Sequence, residues 1–202
     1  MFNLSSITPG DAGEQVFAAI RTLSLTEVPL APAVVGAVNF GALRALALRR
    51  CPGWRGFLAR VVELGVPLRL KALEVCDFHD DGQSGDGGSG EGWVAALEGV
   101  LGAFGGLEAL FVAHEGPLAG ETGRFWETAL RRHGGTLKRF VHHQRVGLGD
   151  SGGGRTLDSP RLGVVDAGVV EDPGRNPLAP LELDFLGLCC PPERLVSPGR
   201  EI

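Results

Sequence analysis

The chain has 202 residues, a formal net charge of −5 and 44% hydrophobic residues. That length and apolar share suit a single folded domain over residues 1–202 and exclude wholesale disorder. The acidic balance argues against a nucleic-acid binder, which needs a basic face for phosphates. No apolar stretch approaches the ~20 residues that span a bilayer. No basic region followed by an apolar run and a cleavage site opens the chain, so the expected setting is intracellular, cytoplasmic or nuclear.

In chain order, residues 11–19 predict a helix packed on a first strand. At Ile20 a six-residue pattern begins, apolar-x-x-apolar-x-apolar: Ile20-x-x-Leu23-x-Leu25. It returns as Leu43-x-x-Leu46-x-Leu48, Leu70-x-x-Leu73-x-Val75 and Leu107-x-x-Leu110-x-Val112. Leu137-x-x-Phe140-x-His142, which ends on a polar residue, and Leu178-x-x-Leu181-x-Leu183 are read as weaker copies. The last two apolar positions lie two apart, the period that sends side chains to one face of a strand.

Between these units run helical stripes. Trp54, Phe57, Leu58, Val61 and Val62 form one, and Trp93, Val94, Leu97, Val100, Leu101 and Phe104 a second. A shorter one, Phe125, Trp126, Ala129 and Leu130, follows an acidic, cap-like start at Glu121-Thr122. Gly65, Gly105-Gly106 and Gly134-Gly135 stand where a helix wants a left-handed final residue.

Units starting at 20, 43, 70, 107, 137 and 178 are spaced 23 to 41 residues apart, and the long gaps contain Gly-rich inserts at 79–92 and 147–176. Polar, glycine-rich stretches like these bury too little to order themselves. One half-buried strand cannot stand alone, so the units must stack. The expected fold class is α/β: a short irregular leucine-rich-repeat solenoid, with parallel strands on the concave side and helices on the convex side.

Positions three, five and seven of each unit then point away from the core. The side chains offered to a partner are Arg49, Glu74, Phe111, Arg139, Val141, His143, Glu182 and Asp184, around a small, apolar centre. An apolar patch rimmed by charge marks a protein-binding site, unless an insert or the C-terminal tail folds over it.

Chemistry-bearing patterns are weak. Gly149-Asp150-Ser151-Gly152-Gly153 looks like the nucleophile motif of chymotrypsin-type proteases, but it sits in a glycine-rich insert and the upstream chain has no room for the barrel that supplies the histidine. The acidic residues Asp77, Asp80, Asp81, Asp86 and Glu91, with His79, do not follow EF-hand spacing. His142 and His143 are adjacent, so in a strand they face opposite ways and cannot chelate together with Cys189-Cys190. Cys51, Cys76, Cys189 and Cys190 fit no zinc pattern and read as thiols in a reducing compartment. No enzyme activity, metal or cofactor is expected.

Several longer phrases resemble one family. Leu43 to Trp54 continuing through Phe57-Leu58, Pro67 to Glu74, Thr136 to Arg145, and Asn176 to Cys190 are similar to segments of leucine-rich-repeat regions in filamentous-fungal F-box proteins. The resemblance spans residues 20–192. It implies a protein–protein interaction module, the substrate-recognition part of an F-box-type ubiquitin ligase subunit, whose F-box would dock on a cullin-ligase adaptor. No F-box is visible before Ile20, which leaves a stand-alone binding scaffold as the alternative. A serine hydrolase using Ser151 is the remote one. The repeat consensus also wants Asn or Cys three residues after the last apolar position. Cys51 fits there, whereas Val28, Phe78, Glu115, Arg145 and Leu186 do not.

Overall fold

The computed structural model describes residues 17–77, 91–115, 131–145, 178 and 180–188. Among them six strands follow one another: β1 (Thr22–Thr26), β2 (Ala45–Arg49), β3 (Ala72–Asp77), β4 (Ala109–Glu115), β5 (Arg139–Arg145) and β6 (Phe185–Leu188). They make one sheet in the order β1-β2-β3-β4-β5-β6, and every pairing is parallel. The expected α/β class with a parallel sheet therefore holds. Because the order never reverses among the described residues, their strands form no switch point of the kind that opens a ligand crevice in doubly wound folds.

The hexapeptides stack in register. Leu23, Leu46, Leu73, Leu110, Phe140 and Leu186 lie side by side across the sheet. Each strand is joined to the next by one repeated hydrogen-bond device at its entry. The carbonyl of Arg21 accepts the N–H groups of both Arg44 (2.7 Å) and Ala45 (3.0 Å). Arg44 does the same for Lys71 and Ala72, Lys71 for Glu108 and Ala109, and Glu108 for Lys138 and Arg139. Lys138 accepts from Asp184 (2.8 Å) and Phe185 (3.1 Å). Both lone pairs of a carbonyl are thus used at each step.

That series corrects the sixth unit. The expected frame, Leu178-x-x-Leu181-x-Leu183, is displaced: the chain enters the sheet at Leu183, and the working frame is Leu183-x-x-Leu186-x-Leu188. The reason is chemical. The third residue of a unit must donate its N–H, and in the expected frame that residue is Pro180, which has none.

Burial follows the apolar pattern on the face shared with the helices, and on the other face Ala113 is buried too, at 1%. Leu43, Leu46, Leu48, Leu70, Leu73, Val75, Leu107, Leu110, Val112, Leu137 and Phe140 are each no more than 2% exposed. They share a core with α1 (Trp54–Glu63) and α2 (Glu91–Gly102), and with residues around a 3₁₀ helix at Pro32–Ala37. Both predicted stripes are used: Trp54, Phe57, Leu58 and Val61 from α1, and Trp93, Val94, Leu97, Val100 and Leu101 from α2, are buried, with Phe104 just beyond. Burying a residue of this kind contributes roughly 1.5–3 kcal/mol, so this ladder dominates stability.

α1 starts at Gly53, whose φ of 79° only glycine adopts readily and whose added Cβ would collide with the Leu30 carbonyl oxygen. Gly65 and Gly106 are left-handed as expected, whereas Gly135 is not.

Other expectations change. The helix over 11–19 fails at its described end, because Phe17 makes a parallel bridge to Val38 and donates its N–H to Ala37. Residues 11–16 lie outside the described residues. Glu91 and Gly92, expected in the first insert, open α2. The rest of that insert, the 147–176 insert with Ser151, the third stripe and Cys189-Cys190 also lie outside the described residues. Among those described, no helix is long and apolar enough to cross a membrane.

Candidate functional site

Among the described residues no helix packs on the second face of the sheet, and the register arranges its side chains in rows. Thr22, Ala45, Ala72, Ala109, Arg139 and Phe185 form the first row. Ser24, Ala47, Glu74, Phe111, Val141 and Gly187 form the second. Thr26, Arg49, Cys76, Ala113 and His143 form the third. A groove of about 450 Å³ runs across the first two rows.

Its shape comes from side-chain size. Ala45, Ala47, Ala72 and Ala109 project only a methyl group, so they form a low floor. Phe111, Val141 and Phe185 stand above it on the β4–β6 side. Gly187 keeps that wall close: a Cβ there would lie 3.2 Å from both Val141 methyl groups and 3.4 Å from the Phe185 ring.

The opposite wall is an ion pair between neighbouring strands. Arg49 Nε and Nη2 donate to Glu74 Oε1 and Oε2 at 2.5 and 2.6 Å. The hydrogen bond and charge of Glu74 raise the pKa of Arg49. Such a fork is geometrically specific but exposed, with the Arg49 side chain 46% accessible, and contributes about 0–1 kcal/mol. Beside it, burial and then the Glu74 charge push the Cys76 thiol up to about 11. Cys76 is therefore a neutral thiol at pH 7, and a poor nucleophile.

Of the residues expected on this face, the structure brings Arg49, Glu74, Phe111, Arg139 and Val141 into one groove. His143 is exposed in the next row, with its neighbour His142 buried, as strand alternation requires. Glu182 and Asp184 are not where they were expected. Both precede β6, and Asp184 occupies the entry position, its N–H bound to the Lys138 carbonyl. Their place on the face is taken by Phe185 and Gly187, which the displaced frame concealed. Asp77, expected in an acidic loop, instead ends β3 and accepts Trp54 Nε1–H at 3.0 Å and Arg55 Nη2–H at 3.2 Å.

Sequence reading also missed a buried histidine pair on the helix-covered face. His142 occupies the position held by Leu48, Val75 and Val112 in the preceding strands. Its Nε2 lies 3.0 Å from Nε2 of His114, and the His114 ring stacks on Trp93 at 4.5 Å. One neutral imidazole can donate to the other at that distance. Burial, with His114 and His143 nearby, pushes His142 down to about 2. A polar residue ending an apolar hexapeptide was the available signal.

A third buried histidine, His133, closes the end of α2. Its Nε2 pairs with the Leu101 carbonyl (3.1 Å), while Nδ1 accepts the Leu107 N–H (3.3 Å). The helix end is thereby satisfied where the chain turns into β4. Burial lowers the pKa of His133 too. No group of three or more His, Cys, Asp or Glu side chains able to hold a metal ion occurs among the described residues.

No protein-family model matches the chain, and neither a curated protein nor a solved structure matches it.

Proposed function

We propose that this chain is a short, irregular leucine-rich-repeat solenoid that binds another protein through the open face of its sheet. The carrying observation is the strand order: six parallel strands in sequence, each after the first entering through the same two-bond joint, present their third and fifth positions as continuous rows. Stacked units of this kind leave one extended surface free for recognition. The groove supports that use, since its floor is apolar and its charges stand at the sides. Cys51 adds a local repeat feature, its thiol directed at the Leu25 and Arg49 carbonyls at 3.4 Å.

The resemblance to F-box proteins gives the binding a specific form, in which the face holds a substrate for a ubiquitin ligase. Affinity purification with mass spectrometry tests both levels. Partners recovered with the wild-type chain should be lost with Phe111→Asp and retained with Arg60→Ala, which alters the outside of α1. Recovery of a cullin and its adaptor supports the ligase form, and their consistent absence removes it. Partners that survive Phe111→Asp in a chain of unchanged melting temperature overturn the open face as the binding site.

A further inference from the structure

The charges on the open face do not cancel, although the chain as a whole is acidic at −5. Within the groove three side chains carry charge: Arg49, Glu74 and Arg139. Arg49 and Glu74 neutralise each other through their two-bond fork. Arg139 is exposed, and among the described residues it has no ion pair or side-chain hydrogen bond. It stands in the first row directly beside Ala109 on one side and Phe185 on the other.

The strand entries along the same edge reinforce the sign. Arg21, Arg44, Lys71 and Lys138 occupy the entry position of four units, against Glu108 and Asp184 in the others. Lys71 is matched by Glu108 at 2.9 Å and Lys138 by Glu182 at 3.7 Å, which leaves Arg21 and Arg44 against Asp184. Arg44 directs Nη1 at backbone carbonyls, with no carboxylate partner among the described residues. A cation standing over an apolar floor needs an anion to complete it when water is excluded.

We propose that the groove takes an extended acidic segment of a partner protein, seating an aliphatic or aromatic side chain on the alanine floor and pairing a neighbouring carboxylate with Arg139. This rests on reading the open face as a protein-binding site. Distances fit: Ala45, Ala72, Ala109 and Arg139 are successive neighbours, so the row spans three strand steps of ~4.8 Å, matched by four or five residues of extended chain at ~3.3 Å each. A basic segment would set like charge against Arg139 as both lost water, which is unfavourable.

The test is selection from a phage-displayed library of random octapeptides on the full chain, followed by titration of the synthetic consensus peptide. Wild type should enrich Asp or Glu within two positions of Leu, Ile or Phe, and Arg139→Glu should weaken the consensus peptide by about tenfold or more and redirect selection to Lys or Arg. Ala72→Asp, which fills the floor with a charge, and Phe111→Ser, which removes the apolar wall without adding charge, should each abolish binding while leaving the melting temperature near wild type. A consensus without acidic residues, lost with Phe111→Ser but indifferent to Arg139→Glu, overturns the acidic segment and leaves the binding face standing. Failure to enrich any peptide, or peptides held equally by all variants, overturns both.

Discussion

β2 and β6 carry the same spacing of leucines, yet Leu46 is 2% exposed and Leu186 is 44%. β2 has a strand on either side and α1 and the 3₁₀ helix in the core beside it. β6 has β5 as its strand neighbour, and Phe185 on its other face is 55% exposed. β1, at the opposite edge, behaves similarly: Leu23 and Leu25 point inward but are only partly buried. Alternation fixes which way a side chain points, whereas neighbours decide how much water it loses. The energy of a leucine therefore depends on its place in the stack.

The same charge placed at the centre of the stack and at its edge should have very different costs. Leu110→Asp buries a carboxylate in the central ladder and should abolish the cooperative thermal transition, while Leu186→Asp at the edge should leave a transition within a few degrees of wild type. Equal effects would show that the edge leans on the core no less than the centre does. Truncation should sharpen the same contrast. Leu46→Ala should cost about 2–5 kcal/mol in denaturant unfolding, and Leu186→Ala under about 1.5 kcal/mol, because a half-exposed site leaves no sealed cavity.

A third contrast lies inside the buried ladder, where His142 replaces Val or Leu. Its folded pKa of about 2 lies below the unfolded value near 6.5, so the unfolded chain binds the proton first. Stability should be full above pH ~6.5 and decline as pH falls below it, with a slope approaching ~1.4 kcal/mol per pH unit for each such group. His133, also lowered by burial, adds to the decline in the same direction. His142→Leu should flatten the slope measured by urea unfolding between about pH 6.5 and 4.5. A slope unchanged from wild type would show that His142 is not held neutral. The smallest effect belongs to the open face, where a double-mutant cycle on Arg49 and Glu74 should give a coupling of about 0–1 kcal/mol, weakening with salt.

Much of this architecture is legible in single residues. Leu46, Leu73 and Leu110 announce their strands because each is followed two residues later by another apolar side chain, and Trp54 to Val62 and Trp93 to Phe104 announce their helices by spacing. Phe185 was hidden because Leu183 both closes one apolar hexapeptide and opens another. Only the missing N–H of Pro180 separates the two frames. The groove's members followed from alternation along each strand. Its working pairs did not: Arg49 with Glu74, and His142 with His114, meet across strands, and such contacts depend on register between segments far apart in the chain.

The two-bond joint at each strand entry asks nothing of side chains, only a carbonyl in front and two amides behind. Arginine, lysine and glutamate all serve as acceptor in turn. Descendants of this gene could therefore gain or lose a whole turn of the stack without redesigning its seams. Each added turn would widen the platform by one strand spacing, ~4.8 Å, and bring two fresh side chains to whatever lies across it.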